Sequence, residues 1–120
     1  MELPVVNHPD YVAKINDDNK FPIKKFGALA EYLLKEGVVK KFYIPKECSI
    51  KTMQTSHSLE YINHIRNKSL DIKLQKKIGF PINDSVARRS FVATGGTVLA
   101  SKLALDSRLA CNTAGGSHHA

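Results

Sequence analysis

Three short runs of apolar and β-branched residues recur along the chain, and segments with helical spacing separate them. The runs are "LPVVNH" at 3–8, "VVKKFYIP" at 38–45 and "LACNTAGG" at 109–116. They do not alternate strictly between apolar and polar residues, which is typical of strands covered on both faces. The order strand, helix, strand, helices, strand predicts an α/β fold. We therefore expect an open parallel sheet with helices on both faces.

The first helical segment carries its apolar residues on one face, and Gly37 stands where a C-terminal cap is expected. That face consists of Phe26, Leu29, Ala30, Leu33 and Leu34. Between 49 and 78 the pattern predicts short helices, with Ser58 and Ser69 as N-caps and Gly79 at the end.

A longer amphipathic segment, from about Asp84 to Ser107, predicts a helix with two adjacent glycines, Gly95 and Gly96, near its middle. Each glycine costs a helix about 1 kcal/mol relative to alanine. Close approach of another part of the backbone would justify that cost. We expect the packed face of this helix to consist of Val92, Gly95, Gly96, Leu99, Leu103 and Ala104.

A chain of 120 residues, 42% of them apolar, is large enough for one domain with a modest core. The first residues lack the pattern of a signal peptide, and no apolar run is long enough to span a bilayer. Cys48 and Cys111 lie far apart and form no C-x-x-C pair. These features favour a cytoplasmic protein with free thiols and no membrane partner.

The formal net charge of +7 raises the question of nucleic-acid binding. The basic residues form scattered pairs, such as Lys76 with Lys77 and Arg88 with Arg89, without interleaved aromatic residues. No reader motif of a nucleic-acid-binding family is present. We therefore expect no specific nucleic-acid partner and keep a basic nucleic-acid-binding domain only as a third, weaker hypothesis.

Three of the histidines have a structural interpretation. His8 and Asp10 flank Pro9 in a turn and have no third ligand nearby, so turn stabilisation is favoured over metal binding. His57 and His64 lie seven residues apart on a predicted helix, without a carboxylate at metal spacing. We expect both to be partly exposed or hydrogen-bonded.

His118 and His119 follow the third predicted strand, at the end where open parallel sheets place their ligand sites. Gly115 and Gly116 permit backbone geometry that other residues resist and leave room for a substrate. Two imidazoles with different pKa values can accept and donate a proton in one reaction. We predict His118 and His119 as catalytic residues and Gly115 and Gly116 as substrate-binding residues. A flexible tail or the remnant of an affinity tag is the alternative interpretation.

The segment "SFVATGGTVLASKLALDSRLACNTAGGSHHA" at 90–120 resembles the part of the histone deacetylase family that leads into its active site. That family has a helix with a central Gly-Gly, then a strand, then a G-G-x-H-H-A signature. Earlier in the chain, the segments "HPDY" at 8–11, "FPIKKF" at 21–26 and "HSLEY" at 57–61 occur in the family's order. "FPIKKF" and "VARRS" resemble class IV and its bacterial relatives. The resemblance implies an arginase/deacetylase-like, three-layer αβα fold.

The resemblance further implies that His118 and His119 form a general acid/base pair beside a catalytic zinc ion. They are the only catalytic residues that it transfers. The family's zinc ligands, in D-x-H and a later aspartate, and the tyrosine that polarises the acetyl carbonyl follow this motif, so we expect neither metal ligand nor cofactor in this chain. Leu59 stands where many relatives have an aspartate that holds the substrate backbone, which leaves the substrate open.

We interpret residues 1–120 as a single truncated domain, the N-terminal portion of a zinc-dependent deacetylase. The complete hydrolase would remove acetyl groups from acetyl-lysine or related acetylated amines, and its missing C-terminal part would be the partner of this chain. Alone, the chain is expected to be inactive and to form a homo-oligomer through uncovered surfaces. The second hypothesis is a non-catalytic remnant or interaction module of a degraded or split gene.

Overall fold

The structure of the protein, a computed structural model, describes residues 2–116. Strand β1 (Val5–Val6) leads into a 3₁₀ helix (Pro9–Tyr11). The remaining elements of the described part are helices α1 (Lys25–Lys35), α2 (Ile50–Met53), α3 (Leu59–Arg66), α4 (Ile72–Ile78) and α5 (Asp84–Ser107), and strand β2 (Cys111–Asn112).

The two strands pair in parallel, with Val6 opposite Asn112. On the other edge of β1, Tyr43 bridges Val6, also in parallel. The Tyr43 amide donates to the Val5 carbonyl at 2.9 Å, and the Asn7 amide donates to the Tyr43 carbonyl at 3.1 Å. The predicted parallel arrangement is thus present in the described part, in the order Tyr43, β1, β2.

The segment 38–45 does not form the strand that its composition predicts. In the described part of the chain, Tyr43 alone of this segment pairs with β1. Val38 is 63% exposed and Ile44 is 58% exposed, so the apolar residues of this run are not covered on both faces. Pro45 also lacks the amide that a longer ladder would require. The prediction of a buried second strand is therefore wrong for this part of the chain.

Helix α5 has the bounds that the sequence predicts. The Asn83 side chain caps its first turn by accepting the Val86 amide at 2.9 Å. The helix contacts both strands and the 3₁₀ helix, whereas α1 contacts the 3₁₀ helix. Within residues 2–116, helical cover on the strands therefore comes from α5, and the predicted helices on both faces of the sheet are present only in part.

The glycines of α5 lie where another part of the chain crosses the helix. The Cys48 amide donates to the Phe91 carbonyl at 2.9 Å, which holds segment 46–48 against α5. A Cβ atom on Gly95 would collide with the Lys46 carbonyl oxygen, which is a backbone atom. The predicted close approach of another backbone is confirmed at Gly95. On the predicted packed face, Val92, Gly95 and Gly96 are buried, and Leu99, Leu103 and Ala104 are half-buried.

Helix α1 buries a narrower face than predicted. Phe26 and Ala30 are buried, but Leu29 and Leu34 are 42% and 47% exposed. Gly37 ends the helix in the left-handed region, with φ of +69°, as its position predicts. The exposed leucines leave part of this helix without a packing partner among the described residues.

The predicted caps of the short helices are half right. Ser58 caps α3 by accepting the Tyr61 amide at 3.1 Å. The predicted cap Ser69 is wrong, because Asp71 caps α4 by accepting the Lys73 amide at 2.8 Å. The Ser69 hydroxyl instead hydrogen-bonds the His64 ring at 2.8 Å.

One buried cluster joins the 3₁₀ helix to α1, α3 and α5. Tyr11 and Val92 are its most completely buried side chains, and Val6 of β1, outside this cluster, is equally buried. None of the described helices is both long and apolar enough to cross a membrane.

Candidate active site

The segment after β2 is anchored before it reaches the predicted catalytic pair. Thr113 and Ala114 are buried, and the Thr113 hydroxyl donates to the Asn7 side-chain carbonyl at 2.7 Å. The chain then becomes exposed at Gly115. This anchor ties the end of β2 to the residue that follows β1, so both strand ends lie at the same edge of the sheet.

A cleft of about 570 Å³ opens beside this segment, and Gly115 and Gly116 are among the residues that line it. Its wall is mostly apolar and comes from α3, α5 and the connections between helices. The apolar side chains include Ile62, Ile65, Ile78, Phe80, Ile82, Val86 and Phe91, and the polar ones are His57, Tyr61, Arg89, Ser90, Thr94 and Thr97. Apolar clefts with a few polar groups are the usual form of small-molecule sites.

Two of the four predicted site residues belong to the described part of the chain, and two lie beyond it. Gly115 and Gly116 face the cleft, but their binding of substrate stays a prediction. Gly115 does not adopt the left-handed backbone, and a Cβ added to it would meet no atom within 4 Å. Gly115 therefore makes no use of the backbone freedom that a glycine permits. His118 and His119 lie outside the described residues, and their catalytic role also stays a prediction.

Arg89 is a charged residue buried beside the cleft, with 8% of its surface exposed. Its Nε donates to the Tyr11 carbonyl at 2.7 Å, and its Nη2 donates to the Gly115 carbonyl at 3.2 Å. Its guanidinium carbon lies 4.8 Å from the centre of the Phe26 ring. Burial lowers the pKa of this guanidinium, an effect that the neighbouring Tyr11 opposes. The side chain thus joins the turn after β1 to the segment after β2.

The Tyr11 phenol and the Asn112 amide form a second buried polar contact beneath the sheet edge. The Tyr11 hydroxyl donates to Asn112 Oδ1 at 2.8 Å. Both side chains pack against Gly96, where a Cβ would collide with the phenol oxygen. Burial raises the pKa of Tyr11 to about 12, while the hydrogen bond to Asn112 and the charge of Arg89 act in the opposite direction. Tyr11 therefore serves as a neutral hydrogen-bond donor at physiological pH.

An ion-pair network covers the outer side of α5. Arg88 bonds both Asp10 and Glu47, and Arg66 bonds Glu47 at 2.9 Å. Burial alone would raise the pKa of Glu47, but the hydrogen bonds from Arg88 and Arg66 outweigh it and lower that pKa. These side chains are partly exposed, so the network contributes modestly to stability and does not resemble a catalytic site.

His8, His64 and the two cysteines have structural positions as expected, whereas the prediction that His57 lies on a helix is wrong, because α3 begins at Leu59. His8 Nδ1 accepts the Asp10 amide at 2.9 Å and caps the 3₁₀ helix. His64 is half-buried and bonded to Ser69, whereas His57 is exposed at the cleft. Cys48 is a buried free thiol, and burial raises its pKa, which disfavours a nucleophilic thiolate.

The described residues do not fit the zinc site that the family resemblance implies. Among residues 2–116, no three His, Cys, Asp or Glu side chains come together in an arrangement that could hold a metal ion. A zinc site needs about three protein ligands and an open position.

Two features of the site were missed by sequence reasoning. Arg89 was treated as half of a scattered basic pair, and the contact between Tyr11 and Asn112 was not anticipated. A signal for the first did exist, because Val92 and Gly96 follow Arg89 by three and seven residues and share its helix face. A charge on a packed helix face indicates a buried and partnered side chain. No local signal pairs Tyr11 with Asn112.

Comparison with known proteins agrees with the family resemblance of the G-G-x-H-H-A motif at 115–120. Residues 20–120 match the family model described as the histone deacetylase domain. An uncharacterized protein of Picosynechococcus sp. is 41% identical over 122 residues, in an alignment that covers all of this chain and 41% of the relative. The chain thus spans less than half the length of the relative that it matches. Because the family model covers most of its length, this chain belongs to the histone deacetylase family.

Proposed function

We propose that this chain supplies the N-terminal portion of a hydrolase domain that removes acetyl groups from acetyl-lysine or related acetylated amines. In the complete domain, the parallel sheet would continue into the open αβα arrangement of the arginase/deacetylase type. The observation that carries the proposal is that the family match runs from residue 20 through the G-G-x-H-H-A segment at 115–120. The remaining part of the domain would be the partner of this chain.

His118 and His119 are the groups that would move protons in this reaction. One imidazole would accept a proton from the attacking water, and an imidazolium would return a proton to the departing amine. Gly115 and Gly116, which line the cleft, would lie beside the acetylated amine. We place the ligands of any catalytic zinc in the remaining part of the domain.

The isolated 120-residue chain is expected to release no acetate from acetyl-lysine peptides or N-acetylated diamines, because the described residues offer no set of metal ligands. A chimera tests the other half of the proposal. In it, this chain replaces the matching segment of the Picosynechococcus protein, and acetate release is expected to appear. Acetate can be measured enzymatically for the chain, the chimera and the unaltered relative.

Metal-dependent turnover by the purified chain would contradict the first expectation. An inactive chimera beside an active relative would show that this chain cannot perform the N-terminal role. Inactivity of both the chimera and the relative on every acetylated amine tried would remove the support for deacetylation itself.

The uncovered apolar surface leads to a separate expectation about association. Leu105 is 86% exposed, Leu109 is 70% exposed and Ile72 is 67% exposed. Apolar surface of this kind marks interaction sites, and a two-fold dimer is the simplest way for the chain to cover it. Light scattering over a concentration series should therefore show an oligomer. A monomer at high micromolar concentration would contradict this expectation, and replacing Leu105 and Leu109 with lysine should favour the monomer.

A further inference from the structure

We propose that Arg89 is a positioning residue that fixes the peptide between Gly115 and Gly116, and through it the segment that carries His118 and His119. The inference rests on the proposed function for its catalytic consequence. Its structural half concerns contacts among described residues. Arg89 itself is not proposed to touch substrate.

Arg89 bonds a pair of backbone acceptors. They are the Tyr11 carbonyl at 2.7 Å and the Gly115 carbonyl at 3.2 Å, which lie 104 residues apart in sequence. A guanidinium presents several N–H donors in a rigid planar fork, so it can hold two carbonyl oxygens at a fixed separation. Arg89 thereby ties the start of the G-G-x-H-H segment to the turn after β1.

The Arg89 side chain is itself held in place. It projects from the second turn of the long helix α5, its guanidinium lies over the Phe26 ring, and only 8% of its surface is exposed. Among the described residues, no carboxylate pairs with it, so backbone carbonyl dipoles are its acceptors. A buried cation is retained at considerable cost unless its hydrogen bonds are made. The buried guanidinium therefore needs the hydrogen bonds to both carbonyls.

The bond to Gly115 has a consequence for the histidines that follow it in sequence. The Gly115 carbonyl belongs to the same planar peptide as the Gly116 amide, and His118 follows two residues later. The space around Gly115 is open, and a Cβ there would meet no atom within 4 Å. Among the described residues, the bond from Arg89 is the side-chain hydrogen bond that Gly115 receives, and it fixes this peptide beyond the Thr113 anchor. Misplacement of a catalytic group by about 1 Å can cost about 10²-fold in rate.

The structural half can be tested in the isolated chain by ¹⁵N NMR. Arg89→Met removes the donors, and Arg88→Met is the matched control, since Arg88 is the neighbouring residue and bonds only side chains on the outer side of α5. We expect Arg89→Met to shift the Gly116 amide resonance and to speed amide exchange in residues 113–116. Arg88→Met should change neither. A Gly116 resonance in Arg89→Met that is unshifted from the parent, as in Arg88→Met, would overturn the inference.

Two measurements remain decisive where Arg89→Met does not fold. In the unaltered chain, the Nε proton of Arg89 should exchange with solvent about 10-fold or more slowly than that of Arg88, which is far more exposed. Arg89→Lys keeps the charge but cannot hold both carbonyls, so it should fold and still shift the Gly116 resonance. Fast exchange at Arg89, or an unshifted Gly116 in the lysine variant, would contradict the proposed contact.

The catalytic half is tested in the chimera. Arg89→Met is expected to lower kcat by about 10-fold or more, with KM changed by less than about twofold, because the proton-transferring groups are misplaced while the apolar cleft is kept. Arg89→Lys should recover part of this loss, and Arg88→Met should behave as the parent. If the parent chimera is active and Arg89→Met retains its kcat, the positioning role is wrong and the proposed function stands. If the parent chimera is inactive, the proposed function fails and the NMR experiment alone decides whether Arg89 holds Gly115.

Discussion

Replacing His118 or His119 with alanine in the chimera is expected to lower the turnover of an acetylated amine by about 10²-fold or more. General acid and base groups contribute on this scale because each provides a proton transfer that water performs poorly in the transition state. Initial rates of acetate release at saturating substrate measure the effect, and single-turnover rates separate it from product release. The pH dependence of kcat should also lose one of its two limbs in each variant, which would assign the acid and the base.

His64→Ala is the matched control, because His64 is half-buried on α3, is bonded to Ser69 and does not line the cleft. Its turnover should remain close to that of the parent. Zinc content should survive both substitutions, since neither His118 nor His119 is a metal ligand in this proposal. Loss of zinc from His118→Ala would identify that residue as a ligand rather than a base. Unchanged turnover in both variants would remove the catalytic assignment.

Gly95→Ala is expected to destabilise the chain by about 2 kcal/mol or more, although helix propensity alone predicts a gain of about 1 kcal/mol. The sign reverses because the new methyl group would collide with the Lys46 carbonyl oxygen. That oxygen belongs to backbone, and the segment is held to α5 by the hydrogen bond from Cys48 to Phe91. The collision therefore cannot be relieved by rotating a side chain. Urea denaturation followed by circular dichroism measures the free energy of unfolding of both proteins.

Gly27→Ala in α1 provides the matched glycine control. Its Cβ would meet a side-chain methyl group of Val12 at 3.2 Å, and that methyl group can shift by a small amount. We expect this substitution to be close to neutral or mildly stabilising. A Gly95→Ala protein as stable as the parent would show that segment 46–48 does not cross α5 closely in solution.

The sequence offers a motif for the candidate site, but it does not reveal the contacts that support the described part of that site. The catalytic prediction rests on the segment at 115–119, which carries two glycines and two histidines. Arg89, whose bond to Gly115 we propose as the positioning contact, carries no comparable local motif. Its partners Tyr11 and Gly115 lie 78 and 26 residues away in sequence, and such pairings arise only when the chain is packed.

The sequence by itself determined the features of this protein that depend on a few neighbouring residues. Asn83 and Ser58 cap their helices because a short polar side chain before a helix accepts an amide from its first turn. The bounds of α5 likewise follow from the spacing of its apolar residues and from its capping residue.

The tertiary structure decided what depends on residues far apart in the chain. Segment 38–45 has the composition of a buried strand, yet Tyr43 alone of its residues pairs with β1 in the described part. Leu29 and Leu34 have the spacing of a packed helix face, yet they remain exposed there. Side-chain periodicity specifies which face of an element is apolar, but whether that face is covered depends on which other elements come to lie against it.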